Sequence, residues 1–202
     1  GIVGKTSRLG TIDMDASYNT GVVTAWGSIS GGLIGSVGNY IFGNANVSAS
    51  DATKHKDGAL AKISRCYNTG LVQSGGTYAK ESWRWTFGRL EVNGQVSGGI
   101  VGSLAHSEIS YCYNLGEVIT HSLIGGKGTW QARVGGIAGQ VLPNKNSSEY
   151  VKFNNCYNVG YITLETAGTN FTSAEPRYGA SISGYCDNSD SAQRVSQTNS
   201  FG

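Results

Sequence analysis

Cys66-Tyr67-Asn68-Thr69-Gly70-Leu71-Val72 decides the fold, because it returns along the chain. An earlier copy reads Ser17-Tyr18-Asn19-Thr20-Gly21-Val22-Val23. Later copies read Cys112-Tyr113-Asn114-Leu115-Gly116-Glu117-Val118 and Cys156-Tyr157-Asn158-Val159-Gly160-Tyr161-Ile162. The offsets are 49, 46 and 44 residues. Ser200-Phe201 reads as the start of a fifth copy. A second unit alternates with the first: Gly31-Gly32-Leu33-Ile34-Gly35, Gly98-Gly99-Ile100-Val101-Gly102 and Gly135-Gly136-Ile137-Ala138-Gly139, with a degenerate version over Gly179-Ala180-Ser181-Ile182-Ser183-Gly184. The opening Gly1-Ile2-Val3-Gly4 reads as a truncated copy without an initiator Met or a signal-peptide pattern. Residues 1–202 are therefore expected to be one repeat domain cut from a longer chain.

Repetition at this period means that one supersecondary unit stacks on its copies. Each unit offers only short β-prone pieces, none stable alone. Wound into a coil and stacked in register, each piece pairs with its copy one rung away at ~4.8 Å. The predicted architecture is an all-β, right-handed parallel β-solenoid of four to five rungs with long insertions, about 24 Å along its axis. The repeated Asn is expected to bond its copy through the side-chain amide and to tolerate left-handed backbone. The Gly two residues later is expected to support a bend, and the paired glycines a close backbone approach. Met14, Ile63, Ile109 and Phe153 are expected to point inward. The side taken by the Tyr column is open, since a bulge would shift the alternation. A helical fold fits poorly, because no stretch keeps a 3.6-residue apolar period and interior Gly costs ~1 kcal/mol per residue. A β-propeller has a similar repeat length and is the alternative architecture.

Composition narrows the function classes. The chain holds 31 Gly and only 2 Pro, which excludes collagen, and 39% hydrophobic residues with 11 Tyr, which excludes a disordered linker. The 15 basic and 13 acidic residues nearly cancel and form no basic run, which gives no case for nucleic acid. No apolar stretch nears the ~20 residues of a membrane-spanning helix.

The order Gly-Gly-apolar-apolar-Gly, then Ile or Val, then Ser/Cys-Tyr-Asn-x-Gly-x-Val resembles the GLUG repeat of bacterial surface proteins. The resemblance covers most of the chain. It implies a β-solenoid at an extracellular or cell-surface location, as in secreted adhesins and in non-catalytic regions of immunoglobulin A metalloproteases. It brings no catalytic residue and no cofactor onto this sequence. Cys in three copies, where Ser is common, departs from the pattern.

Several constellations mimic chemistry and have plainer readings. Gly4-Lys5-Thr6 looks like the end of a phosphate-binding loop but lacks the Gly five positions before Gly4, so it reads as repeat backbone. Cys66, Cys112 and Cys156 share one repeat position. Stacked copies point the same way, whereas zinc needs ligands that converge. Their Cβ spacing of ~4.8 Å also exceeds the disulfide range. Buried free thiols are the expectation, with no metal. His55, His106 and His121 belong to no repeated unit, and Asp13/Asp15 and Asp187/Asp190 read as solvated turn carboxylates rather than a glycosidase pair or calcium ligands.

The aromatic residues say more. All four Trp fall between an Asn-x-Gly-x-Val strand and the next glycine pair. Trp83, Trp85 and Phe87 alternate with polar residues as in a strand, and Asn93-Gly94 reads as a hairpin turn. Equivalent segments of a solenoid leave from the same flank, so Trp26, Tyr78, Trp83, Trp85, Phe87 and Trp130 are the candidate ligand-binding residues, able to stack on sugar rings or anchor a host surface protein. Packing of these segments on the coil is the competing reading. The expected function is a non-catalytic structural and adhesive module. An accessory segment of a large secreted protease and a carbohydrate-active β-helix enzyme are the alternatives. Repeats cut at both ends also leave open edges that could stack end to end into a filament.

Overall fold

The computed structural model describes residues 1–6, 11–25, 29–37, 61–75, 94–122, 131–141, 151–166, 177–186 and 195–202. Among them are 21 short strands and no helix. The strands form five sheets, and every pairing is parallel and joins a strand to its copy one turn away. The chain visits the sheets in a fixed order. The first sheet holds Val3–Lys5, Ile34–Ser36, Val101–Leu104 and Ala138–Val141; the second holds Ile12–Asp15, Ala61–Ser64, Ser107–Ser110, Val151–Asn154 and Val195–Thr198. The third is the two-residue Tyr-Asn pieces from Tyr18–Asn19 to Tyr157–Asn158. The fourth holds Val23–Ala25, Val72–Ser74, Val118–Ser122 and Ile162–Thr166, and the fifth Ile29–Gly31, Gly94–Gly98, Gln131–Gly135 and Arg177–Ala180. This is a parallel β-solenoid of four turns and part of a fifth, as the repeats predict. It is not a propeller: strands that follow one another in sequence lie in different sheets.

Register is carried by the repeats themselves. Tyr113 sits between Tyr67 and Tyr157, and Asn114 between Asn68 and Asn158. The main core lies inside the first three sheets and is built from columns: Ile34, Val101 and Ala138 in one, Met14, Ile63, Ile109 and Phe153 in another, Cys66, Cys112 and Cys156 in a third. All ten are buried. A smaller cluster of Val72, Val118 and Val134 fills the space between the fourth and fifth sheets. A polar layer shares that space, with Ser97 Oγ contacting Ser74 Oγ at 2.7 Å and donating to the Ile119 carbonyl at 2.6 Å. Burying these hydroxyls is tolerable because each has a partner.

Two backbone expectations change, one for the repeated Asn and one for the Gly after it. The left-handed backbone falls on Ala16, Arg65, Tyr111, Asn155 and Asn199, with φ between 48° and 55°, and not on the repeated Asn three residues later. Each of these costs ~1–2 kcal/mol for a non-Gly residue. The bend is held because the ladder runs through it: Arg65 N–H donates to Ser110 O at 3.1 Å and Tyr111 N–H to Asn154 O at 2.9 Å. The Gly after the Asn needs no special φ. A Cβ on Gly116 would land on the carbonyl oxygen of Gly70, its copy one turn away. Turn-to-turn crowding, rather than a bend, fixes glycine there. The paired glycines do serve close approach, since a Cβ on Gly98 would strike the Val101 carbonyl and lie 2.6 Å from the Gly139 nitrogen.

Candidate binding face

The glycine pair closes a narrow arch. In three turns the fifth-sheet strand runs into Gly-Gly, with Ala180-Ser181 at that place in the last, and the chain returns against it along the first sheet. At the open side of the arch, partners meet across it: the Arg133 guanidinium donates to Gln140 Oε1 and lies 3.9 Å over the Tyr185 ring. Gln140 Nε2 passes a bond to Ser103 Oγ in the neighbouring turn at 2.9 Å. Arg133 is nearly buried, and a charge so placed is tolerable because the amide and the ring face both receive it.

The variable segments attach at this open side. Residues 26–28, 76–93, 123–130 and 167–176 each join a fourth-sheet strand to a fifth-sheet strand, so each ends where an arch begins. Residues 7–10, 38–60, 142–150 and 187–194 each join the first sheet to the second, leaving where an arch ends. Trp26, Tyr78, Trp83, Trp85, Phe87 and Trp130 lie outside the described residues, on the first of these two sets of connections. The coil therefore anchors the ends of their segments in successive turns at one side. Asn93 and the strand expected before it lie outside the described residues, and Gly94 opens the fifth-sheet strand Gly94–Gly98.

A second outward feature was not legible as a surface. Tyr18, Tyr67, Tyr113 and Tyr157 stack on one another with ring centroids 5.1, 5.0 and 5.1 Å apart and planes within 7°, and Phe201 extends the stack at 6.1 Å. The rings are half-buried or exposed, and Val22, Leu115, Val159 and Tyr161, which follow them in sequence, are exposed. The signal was the alternation Cys-Tyr-Asn: Cys112 and Asn114 are fully buried, which turns Tyr113 outward. The left-handed residue precedes the Cys and leaves that alternation intact.

The inward columns on either side are satisfied locally. Asn68 Nδ2 donates to Gly70 O at 2.8 Å and to Asn114 Oδ1 at 2.7 Å, and Asn114 repeats this toward Gly116 O and Asn158 Oδ1, both at 2.7 Å. The Asn ladder expected from the repeats is formed. All four cysteines are free. Cys112 Sγ donates to Ser110 O at 3.2 Å and reaches Ile63 O at 3.6 Å. The Cys112 thiol is pushed up by its hydrogen bond to the Cys66 sulfur and by burial, and burial does the same for Cys156 and Cys186. These three favour the protonated thiol and fill space in the core, whereas the hydrogen bond with Cys112 lowers the Cys66 thiol to about 7.

The remaining titratable groups are dispersed. Asp13 and Asp15 point outward from one strand; Asp15 is bound by Arg65, whose guanidinium holds the carboxyl below its usual range, helped by the Ser64 hydroxyl at 2.6 Å. His121 Nδ1 pairs with Glu165 at 2.8 Å. Gly4 and Lys5 belong to a first-sheet strand, which places them in repeat backbone rather than a phosphate loop. His55, Asp187 and Asp190 lie outside the described residues. Among the described residues, no group of three His, Cys, Asp or Glu is placed to share a metal ion. Compared with known proteins, the chain matches no family model, no curated protein and no solved structure.

Proposed function

We propose that this chain is a non-catalytic, adhesive repeat module of a bacterial cell-surface or secreted protein, in which the coil presents aromatic-rich connections to a glycan or a host surface protein. The observation that carries the reading is the placement of the connections. Those bearing Trp26, Trp83, Trp85 and Trp130 end one above another at the open side of the arch, anchored by strands in fixed register. A rigid scaffold with variable segments on one side is the usual arrangement of a binding surface. Aromatic side chains are suited to it because they give large contact area at low conformational cost. The likeness of the repeats to the GLUG pattern supports the extracellular setting.

A glycan array and a panel of extracellular host proteins, screened with the wild-type chain and with Trp83→Ala/Trp85→Ala, tests this. The expected result is a ligand whose affinity falls at least about tenfold in the variant while the unfolding midpoint stays put, since a central aromatic anchor contributes on the order of 2 kcal/mol. Unchanged binding with a lowered midpoint would assign these residues to packing and reject the proposal.

A further inference from the structure

The outward aromatic column has a chemistry that its packing role does not use. Four tyrosines from successive turns lie face to face, with planes 4° to 7° apart and centroids 5.0 to 5.1 Å apart. Parallel register and even ring spacing set each ring beside its copy, which brings the carbons ortho to each phenol oxygen near those of the next ring. One-electron oxidation of a phenol, with loss of its proton, leaves a phenoxyl radical whose spin density is large at those ortho carbons.

We propose that the Tyr18–Tyr67–Tyr113–Tyr157 column is a site of oxidative cross-linking, in which neighbouring turns become joined by dityrosine bonds. Each link uses one ortho carbon of each of two rings. Two phenoxyl radicals couple through one new ortho carbon–carbon bond, and the two ring hydrogens at that bond shift to the oxygens and restore both phenols. The pair loses two protons and two electrons in all. Hydrogen peroxide acting through a haem peroxidase accepts them and leaves as two waters. Edges of the rings are open to solvent, with Tyr18 58% exposed, so the oxidant reaches the column and the rings can tilt into contact. The partner ring is held beside each radical by the coil, which makes coupling within the chain a first-order event independent of protein concentration.

Geometry limits the products. A coupled ring keeps one free ortho carbon, so four tyrosines close at most three links, Tyr18 to Tyr67, Tyr67 to Tyr113 and Tyr113 to Tyr157, each between neighbours in the column. Phe201 ends the column because it has no phenol to oxidise.

The test is limited peroxide with a haem peroxidase on dilute folded protein, followed by dityrosine fluorescence, intact mass and sequencing of joined peptides. Monomeric products that have lost two hydrogens per link, with joined peptides pairing adjacent column tyrosines, are expected. Tyr113→Phe keeps the ring and should leave only the Tyr18–Tyr67 link. Tyr67→Phe/Tyr157→Phe leaves no column tyrosine beside another and should abolish column links while the fold persists. Column links formed no more often in the folded chain than in urea, or formed only between chains, or surviving in the double variant, would overturn the proposal.

Discussion

The corner between the second and third sheets and the arch between the fifth and first sheets solve the same stacking problem with different sequence rules. At the corner four turns repeat Ser or Cys, then Tyr, then Asn, and the fifth begins alike with Ser200-Phe201. At the arch only the glycines repeat, while the side chains that meet at its open side change from turn to turn, as with Ser103 and Gln140. The difference follows from where partners lie. Asn114 bonds its own copies above and below, so a change in one turn leaves its neighbours' amides unpaired. Arg133 bonds across the arch to Gln140, seven residues on in the same turn, so a pair can change together. Identity is demanded where a side chain bonds its own copy on both sides, and relaxed at the arch, where Gln140 bonds Arg133 across it and the unlike Ser103 in the next turn. The relaxed side is also where the variable segments attach.

The strongest way to break this contrast is to crowd the one part of the arch that touches an axial column. Gly99→Ala puts a Cβ on the Gly136 carbonyl and 2.5 Å from Asn114 Cγ. Neither backbone nor the buried amide can move without breaking register. The expected loss is about 4 kcal/mol or more, read by denaturant titration, at the high end for a single substitution. Gly4→Ala, whose Cβ meets nothing within 4 Å, is the control and should shift stability by less than about 0.5 kcal/mol. Equal effects at both sites would mean that glycine is kept for chain flexibility and not for spacing.

Asn114→Ala sharpens the axial rule. It removes two donor bonds and strands the Asn68 amide and the Asn158 oxygen, both in buried positions. About 3 kcal/mol is expected, since unsatisfied buried partners carry their full desolvation cost. Asn19 has a column neighbour on one side only, at Asn68, and is half exposed, so Asn19→Ala should cost about 1 kcal/mol. Thermal or chemical unfolding of the two variants side by side would show this gradient; equal costs would place the strength of the ladder elsewhere.

The axial half of the molecule was legible because its residues repeat. The solenoid, its rung count, the Asn bonds, the inward Met14–Ile63–Ile109–Phe153 column and the buried thiols all follow from spacing and alternation. Two details were misplaced for one reason. Left-handed backbone was assigned to the repeated Asn by its propensity, but it falls on Ala16, Arg65, Tyr111, Asn155 and Asn199, and only two of these five are the Asn that propensity would pick out. Glycine after the Asn was read as conformational, whereas its cause is a carbonyl from the next turn, which lies 46 residues away for the pair Gly70 and Gly116 and cannot be seen locally. The convergence of both sets of connections on the arch was invisible for the same reason: it depends on how five sheets close into a coil. The Trp-bearing segments themselves carry no repeat, and sequence reasoning could give only their point of attachment.

The smallest effect is expected at the Cys column, where it decides what the thiol is for. Ser17 and Ser200 occupy the same position at the ends of the stack, and their hydroxyls donate to the carbonyl two residues back, at 3.0 and 3.1 Å, as Cys112 does at 3.2 Å. Serine can therefore keep the bond in the middle turns, but Cys112 is fully enclosed by apolar neighbours where Ser17 is not. Cys112→Ser should cost about 1 kcal/mol, the difference between burying a hydroxyl that has a partner and burying a thiol. Cys112→Ala loses the donor and opens a small void, so it should cost about 2 kcal/mol. If serine proves the worse of the two, the position is an apolar filler and the sulfur bonds contribute nothing. If serine is the better, the column is a second axial ladder beside the Asn one, and its identity from turn to turn has the same cause.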